Sequence, residues 1–448
     1  MFWQFIPRTE LSADPLGSIW FFHAQPPAVN LPFVVTDRLG AAGVLTLEVL
    51  LVLTGLATVL LVGDIVRVWT ASRRTAVLTA VIAGALPSTT LFGLWLYPTL
   101  PIALLLLVTI WGITRGVVLQ TRWPLILSAF AITGLFLVRA TVIWPLAIAW
   151  LGVVAWAAWR QGGARRRTVT IPLATCLAVI VVFTIKNVVL FGSPTQSSWA
   201  KENYANVMLN VLTDAEEAAL AAQDPCFAEL VQVGAFAPVE DYPVCLAEAP
   251  HRGPSNRSAV LDESRWQNGR VNYNHRDRLA LSERWGDLVA HGVRDSPAAV
   301  LRVLAPVQVN GNHEWGSPVL LLGPSTRYVF VRENVAALDT AGVIWMAAFS
   351  MLPPIAALAW VIGTLRLLAG RGWRHSAGRA YLAASALVAT LSGAYLLLEF
   401  GENQRFQVEV LYAWLALGVT AAHWGLRDRT WRGRRSRDGL AEQARRVR

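Results

Sequence analysis

Long apolar stretches alternate with short polar connections along most of the chain. Nine of them are candidate membrane helices, at 40–62, 75–95, 98–114, 123–139, 141–159, 170–190, 341–364, 380–398 and 407–425. A helix needs about 18 apolar residues or more to cross the hydrocarbon core, and the third and fourth stretches approach that lower limit. We therefore predict an all-α polytopic membrane protein with about nine transmembrane helices.

The composition agrees with this class, because only 15% of the residues are charged and 54% are hydrophobic. Soluble domains carry roughly a quarter charged residues. The net charge of +10 comes mainly from arginines in the connections between apolar stretches and in the C-terminal tail. Such a distribution encodes membrane topology and argues against nucleic-acid binding. The richness in Ala, Arg and Trp is typical of a GC-rich bacterium.

Every second connection is basic, and basic connections face the cytoplasm. We therefore expect a multi-pass plasma-membrane protein with five parts. These are an outer loop with a short juxtamembrane helix at 1–39, a membrane domain at 40–190, an extracytoplasmic domain of mixed structure at 191–340, a second membrane domain at 341–425, and a basic cytoplasmic tail at 426–448.

The predicted extracytoplasmic domain contains more acidic than basic residues, and it holds Cys226 and Cys245. An oxidising compartment favours a disulfide between these two cysteines, and two unpaired thiols are the alternative. Within the same domain, residues 272–275 and 310–313 either line a groove for an acceptor or belong to polar surface loops.

The segment from Trp20 to Pro27 combines aromatic, polar and proline residues just before the first span. Two consecutive prolines restrict the backbone where a helix begins, so we predict a short re-entrant helix from Pro26 to about Arg38. His23 and Gln25 are candidate site residues, although His23 also suits the membrane interface. No second His or Cys lies nearby at metal-ligand spacing, so nothing supports a divalent metal or another cofactor.

Asp14 is a candidate catalytic carboxylate in the first loop. It stands in the sequence Ser-Ala-Asp-Pro, which also matches a helix N-cap followed by proline at the first helical position. Both roles stay open for Asp14.

Charged side chains mark three further positions on the predicted outer face. Arg139 ends a span, where it either snorkels to the lipid headgroups or contacts an anion. Lys186 and Asn187 lie at another span end, before a turn. Glu402 and Arg405 occupy a tight turn, either as a buried pair or as a contact for an anionic ligand. Three cations at one membrane face suit a lipid-linked phosphate.

Five short motifs follow one another on this predicted face. They are His23-Ala24-Gln25-Pro26-Pro27, Leu96-Tyr97-Pro98-Thr99, Arg139-Ala140-Thr141, Lys186-Asn187 with Phe191-Gly192, and Glu402 to Phe406. In this order they resemble the GT-C superfamily of integral-membrane glycosyltransferases, including the protein O-mannosyltransferase and aminoarabinose-transferase types. The resemblance covers roughly residues 15–200 and 395–425.

The resemblance implies inverting transfer of a sugar from a polyprenyl-phosphate donor to a glycan, lipid or protein acceptor of the cell envelope. Asp14 would act as the general base, with His23 as a second catalytic candidate. The substrate would be bound by Gln25, Arg139, Lys186, Asn187, Glu402 and Arg405, whose cations offset charge on the phosphate leaving group. In this family the catalytic carboxylate follows an earlier span. We therefore expect a preceding span upstream of this chain, with Asp14 in the catalytic role as the alternative.

Two other functions stay open. A transporter or flippase for a lipid-linked precursor predicts inverted repeats and charges near the bilayer midplane. We find no repeat, and Glu48 is the acidic residue that we identify well inside a predicted span. A non-catalytic membrane scaffold with an outer domain that binds a partner is the second alternative.

Overall fold

The computed structural model describes residues 6–94, 98–161, 163–247, 259–303, 307–309, 313–315, 352–370, 372–398 and 403–431. These residues are predominantly helical. The first ten helices are α1 (Arg8–Ala13), α2 (Pro15–Trp20), α3 (Leu31–Leu39), α4 (Ala41–Thr70), α5 (Arg73–Ala85), α6 (Pro87–Leu94), α7 (Thr99–Val118), α8 (Arg122–Val138), α9 (Trp144–Trp159) and α10 (Gly163–Phe191).

The polar half of the chain begins with shorter helices. They are α11 (Trp199–Leu209), α12 (Asp214–Ala221), α13 (Pro225–Val233), α14 (Pro243–Ala247), α15 (Ala259–Asp262), α16 (Asp277–Asp295) and α17 (Pro297–Val303). An antiparallel pair of strands follows, β1 (Val307–Val309) and β2 (His313–Trp315). The last helices are α18 (Leu352–Ala369), α19 (Ser376–Leu398) and α20 (Asn403–Trp431).

Three helices in the described residues are long and apolar enough to cross a membrane, namely Ala42–Thr70, Thr99–Val118 and Arg167–Phe191. This supports a membrane-embedded, mainly helical protein. The other predicted spans also coincide with helices where the structure describes them, although residues 341–351 of the span predicted at 341–364 lie outside the described residues. One of them, at 75–95, is divided into α5 and α6 because Pro87 starts a new helix. A path of nine spans stays a prediction.

The exposed side chains of these helices are consistent with lipid contact. Leu45, Leu53 and Leu60 on α4 project outward, as do Val182 and Val189 on α10. Water-soluble monomers rarely expose continuous apolar surfaces of this extent. Hydrocarbon chains are therefore the natural solvent for these helix faces.

Helix α7 lies at the centre of the helical bundle, where it packs against α4, α8, α19 and α20. A glycine allows the approach of α8, because a Cβ atom added at Gly112 would lie 2.0 Å from the carbonyl oxygen of Pro124. A polar contact joins α7 to α4. Arg115 Nε and Trp111 Nε1 donate hydrogen bonds of 2.7 and 2.8 Å to the Asp64 carboxylate.

Residues 199–247 and 259–303, which we call the middle segment, have apolar cores of their own. One core surrounds Trp285 and the Cys226–Cys245 disulfide, so the structure contains the predicted bond. A buried ion pair of 2.7 Å between Glu202 and Arg278 links α11 to α16. The middle segment is thus a packed helical unit rather than an extended loop.

The predicted helix after the Pro-Pro pair is present in the first loop. A 3-10 turn at Pro27–Asn30 leads into α3, which ends one residue beyond the predicted Arg38. The proline at the start of the turn has no N–H to leave unpaired, which suits the first turn of a helix. Whether this helix enters the membrane stays a prediction.

Candidate functional site

The candidate site lies where the membrane helices meet the middle segment. We call this region the junction, and it comprises residues 20–27, 139–142, 186–198 and 272–275. Backbone atoms of His23 hold two of these segments together. The His23 N–H donates to Asn274 Oδ1 at 2.6 Å, and the His23 carbonyl accepts from the Ser198 N–H at 2.8 Å. The candidate His23 is therefore fixed between parts of the chain that are far apart in sequence.

The His23 side chain is 3% exposed and lies against Phe191, with 5.1 Å between the ring centroids. Its Nδ1 is 2.9 Å from the Ser198 hydroxyl oxygen. Its Nε2 has no hydrogen-bond partner in the described residues. Burial lowers the pKa of His23 to about 3, because the charged imidazolium is poorly solvated there. His23 is accordingly a neutral imidazole near pH 7.

Lys186 extends from α10 into the same region. Its ammonium donates to the Trp20 carbonyl at 3.0 Å, and it lies 5.2 Å from the centre of the Phe191 ring and 5.6 Å from that of Trp20. Aromatic faces attract cations through their quadrupole. Lys186 is therefore a buried cation beside the His23 loop, and it does not reach out to solvent.

Two amide side chains complete this part of the junction. Asn187 Nδ2 donates to the Thr195 carbonyl at 2.6 Å, and Gln196 Nε2 donates to the Val142 carbonyl at 2.8 Å. Because both amide nitrogens point at carbonyl oxygens, the orientation of each amide group is determined. Asn187 Oδ1 and Gln196 Oε1 are consequently hydrogen-bond acceptors. Gln196 also ties the loop after α10 to the segment that follows Arg139.

Arg139, at the end of α8, meets a carboxylate of the chain itself. Its Nε lies 3.2 Å from Glu409 Oε2, and its guanidinium lies 4.8 Å from the centre of the Tyr395 ring. The Tyr395 hydroxyl donates to the same carboxylate. Snorkelling to the headgroups is therefore wrong as the explanation for Arg139, because its side chain is only 11% exposed.

Glu409 is a residue that the sequence reasoning missed. It lies on α20 and is 2% exposed, whereas Glu48, the acidic residue singled out inside a span, is exposed. The available signal was a single carboxylate just inside the apolar stretch 407–425. A buried carboxylate needs a cationic partner, which only the fold could identify.

The remaining candidates lie elsewhere. Asp14 is exposed, and its Oδ1 accepts from the Gly17 N–H at 2.9 Å, so it caps α2. No hydrogen bond or ion pair in the described residues joins Asp14 to His23, Lys186 or Arg139. Gln25 is half-buried just before Pro26.

The predicted turn before α20 is largely outside the described structure. Glu402 lies outside the described residues, and Arg405 lies in the first turn of α20, where its side chain is outside them. The predicted pairing of these two residues stays a prediction.

Asn272 and Asn274 are neither groove residues nor surface polar residues. Both side chains are buried, and their amides bond to backbone groups. Asn272 Nδ2 donates to the Val260 carbonyl at 2.9 Å, and Asn274 Nδ2 donates to the Phe21 carbonyl at 3.0 Å. Asn274 therefore joins the first loop to the middle segment, whereas Asn272 satisfies backbone groups within the middle segment.

The junction therefore offers a neutral imidazole, a buried cation and two amide acceptors close to a guanidinium–carboxylate pair. These groups can hold a polar ligand at the end of an apolar helical bundle. Comparisons of the chain with protein families, with curated proteins and with solved structures found no match.

Proposed function

We propose that the protein is a membrane glycosyltransferase. It would transfer a sugar from a polyprenyl-phosphate donor to an acceptor of the cell envelope, at the outer face of the plasma membrane. The observation that supports this proposal is the junction itself. Motifs chosen from the sequence on separate grounds, around His23, Arg139 and Lys186, meet where the membrane helices join the middle segment.

The cations suit the leaving group of this reaction. Transfer of the sugar leaves negative charge on the lipid phosphate, and positioned cations in a poorly solvated site stabilise such charge strongly. Lys186 is held by Trp20 and Phe191, whereas Arg139 is held by the Glu409 carboxylate, which offsets its charge. Because these contacts fix both side chains in advance, little reorganisation is needed when the phosphate binds.

The acceptor hydroxyl needs a general base, and Asp14 is the carboxylate that we assign to this role; no hydrogen bond or ion pair in the described residues joins it to His23, Lys186 or Arg139. Its side chain is solvent-accessible in the described structure, where it caps α2. His23 is the second catalytic candidate from the sequence, but its pKa of about 3 makes the buried imidazole a weak proton acceptor, so we propose that it contacts the substrate. The proposed reaction inverts the configuration of the anomeric carbon, since one carboxylate activates one nucleophile in a single displacement.

A pair of Asp14 variants tests the assignment of the base. Asn is as good an N-cap as Asp, so Asp14→Asn keeps the cap and loses only the basic carboxylate. Asp14→Ala loses both and is expected to cost about 1 kcal/mol of stability. In liposomes that contain a polyprenyl-phosphate hexose, we expect Asp14→Asn to melt like the wild type and to transfer sugar at least about 100-fold more slowly.

The same liposomes separate the alternatives. Unchanged transfer by Asp14→Asn contradicts the role of Asp14 as base. Movement of the intact lipid donor between leaflets without any transfer supports a flippase instead. Neither transfer nor movement, tested over a panel of hexose donors, supports a scaffold and contradicts the enzymatic proposal.

A further inference from the structure

Among the buried polar atoms of the junction that have no hydrogen-bond partner in the described residues, three belong to side chains linked by one loop. They are Nε2 of His23, Oδ1 of Asn187 and Oε1 of Gln196. The side chains of Asn187 and Gln196 each belong to residues that are 4% exposed. Leaving a buried donor or acceptor unpaired is unfavourable, and most such atoms in folded proteins are satisfied. Three of them in one region indicate a partner that the described residues do not supply.

The side chains that carry these three atoms are linked to one another by neighbouring contacts in the junction. Asn187 lies one helical turn before Phe191 on α10, and the Phe191 ring contacts His23. The Thr195 carbonyl that anchors the Asn187 amide is in the residue directly before Gln196. Ser198, three residues after Thr195, contacts His23 through its backbone N–H and its hydroxyl. The loop 193–198 therefore connects all three side chains.

The chemistry of the atoms selects the class of ligand. Asn187 Oδ1 and Gln196 Oε1 accept hydrogen bonds, so the ligand must donate them. An ionised phosphate has no hydrogen-bond donor, so its oxygens would be repelled by these acceptor oxygens. An ammonium donates, but the cation of Lys186, adjacent to Asn187 on α10, repels it. A hydroxyl donates, carries no charge, and pairs with His23 Nε2 in either tautomer.

We infer that His23, Asn187 and Gln196 bind the hydroxyl groups of a neutral sugar. The inference rests on the proposed function, because it assigns the sugar of the lipid-linked donor to these three side chains. Under it, hydroxyl recognition is separate from the cations that hold the phosphate. The uncharged acceptors would select neutral hexoses over amino sugars and sugar acids.

Two probes that differ only in the sugar test this inference. One is a short-chain prenyl phosphate that carries a neutral hexose, and the other is the same prenyl phosphate without the sugar. Their affinities are measured on the purified full chain in detergent micelles. One hydrogen bond to a neutral group is worth roughly a tenfold change in affinity, so we expect the wild type to bind the hexose probe at least about tenfold more tightly.

Two His23 variants separate the recognition atom from the rest of the ring. His23→Asn places a polar atom near the position of Nδ1, toward Ser198, but has none near Nε2. His23→Gln reaches the position of Nε2. We expect His23→Asn to lower the affinity ratio of the two probes about tenfold and His23→Gln to keep most of it. Because both probes are measured on the same variant, partial loss of folded protein does not alter the ratio.

Ser282→Ala is the matched control. It removes a 2.8 Å hydrogen bond to the Ser198 carbonyl, and thus perturbs the same loop without removing any of the three atoms. Its affinity ratio should equal that of the wild type. Equal binding of both probes by the wild type overturns this inference alone and assigns the three atoms to buried water. Failure of both probes to bind overturns the proposed function together with the inference.

Discussion

Burial of His23 should make the protein sensitive to mild acid, and His23→Gln should remove that sensitivity. The imidazole lies against Phe191, and its Nδ1 contacts the Ser198 hydroxyl. Protonation in the folded state would leave an imidazolium poorly solvated, next to the Lys186 cation that further lowers the pKa of His23. Glutamine has a similar length and does not titrate, so the variant removes the effect of protonation while it keeps a side chain of similar size.

The direction and size of the change in unfolding free energy with pH follow from the pKa values of His23 in the folded and unfolded chain. An unfolded histidine titrates near 6.5, whereas the pKa of folded His23 is about 3. Between these values the unfolded chain binds a proton that the folded chain does not. Stability therefore falls as the pH drops through 6.5, by about 1.4 kcal/mol per pH unit. Between pH 7 and pH 5 the loss from His23 is about 2 kcal/mol.

The assay is denaturant unfolding of the full chain in detergent, followed by tryptophan fluorescence at pH 7 and pH 5. The measured quantity is the change in unfolding free energy between the two pH values, compared between the wild type and His23→Gln. Acid effects from other groups are common to both proteins and cancel. Ser198→Ala is the control, because it loses the hydroxyl contact but keeps the buried imidazole. It should retain the acid sensitivity of the wild type.

An equal loss of stability in the wild type and His23→Gln would refute the reasoning. In that case the folded protein would accommodate the imidazolium, and His23 would not be held neutral. A larger loss in His23→Gln than in the wild type would also contradict it, because glutamine has no proton to gain.

Three further predictions follow from the packing. Gly112→Ala should lower stability by about 1–3 kcal/mol in thermal melts, because the added Cβ atom would collide with the Pro124 carbonyl oxygen. Gly152→Ala is the control: its added Cβ atom has open space around it, so the change should be neutral or slightly stabilising. Replacing both disulfide cysteines by serine should destabilise the middle segment by about 3 kcal/mol, because the unfolded loop between them regains conformational entropy. Limited proteolysis of this segment should then become faster. Glu202→Gln should cost about 3–5 kcal/mol by leaving the buried Arg278 without its counter-charge, and chemical denaturation measures this loss. A cost below 1 kcal/mol would mean that water reaches the guanidinium.

Much of the fold could be predicted from local sequence patterns. The lengths of the apolar stretches predicted helices, and the structure has helices close to the expected positions. Backbone groups that water cannot reach must form hydrogen bonds within the segment, and a helix allows this. Pro26 and Pro27 predicted the start of the helix that ends at Leu39. The capping role of Asp14 was readable from the proline that follows it, since N-cap chemistry acts within one helical turn. The pairing of Cys226 with Cys245 was also readable, from their spacing and predicted compartment.

The partners of the candidate side chains were decided by the tertiary structure. Arg139 and Glu409 are some 270 residues apart, and Asn274 bonds to the backbone of His23 from a distance of about 250 residues. No local periodicity or propensity encodes such pairs, because their energy depends on burial and on which helices lie side by side. The sequence by itself determined that polar and charged groups collect at the ends of apolar helices. The packing of α8, α10 and α20 with the middle segment decided which of these groups pair with one another and which are buried without a hydrogen-bond partner in the described residues.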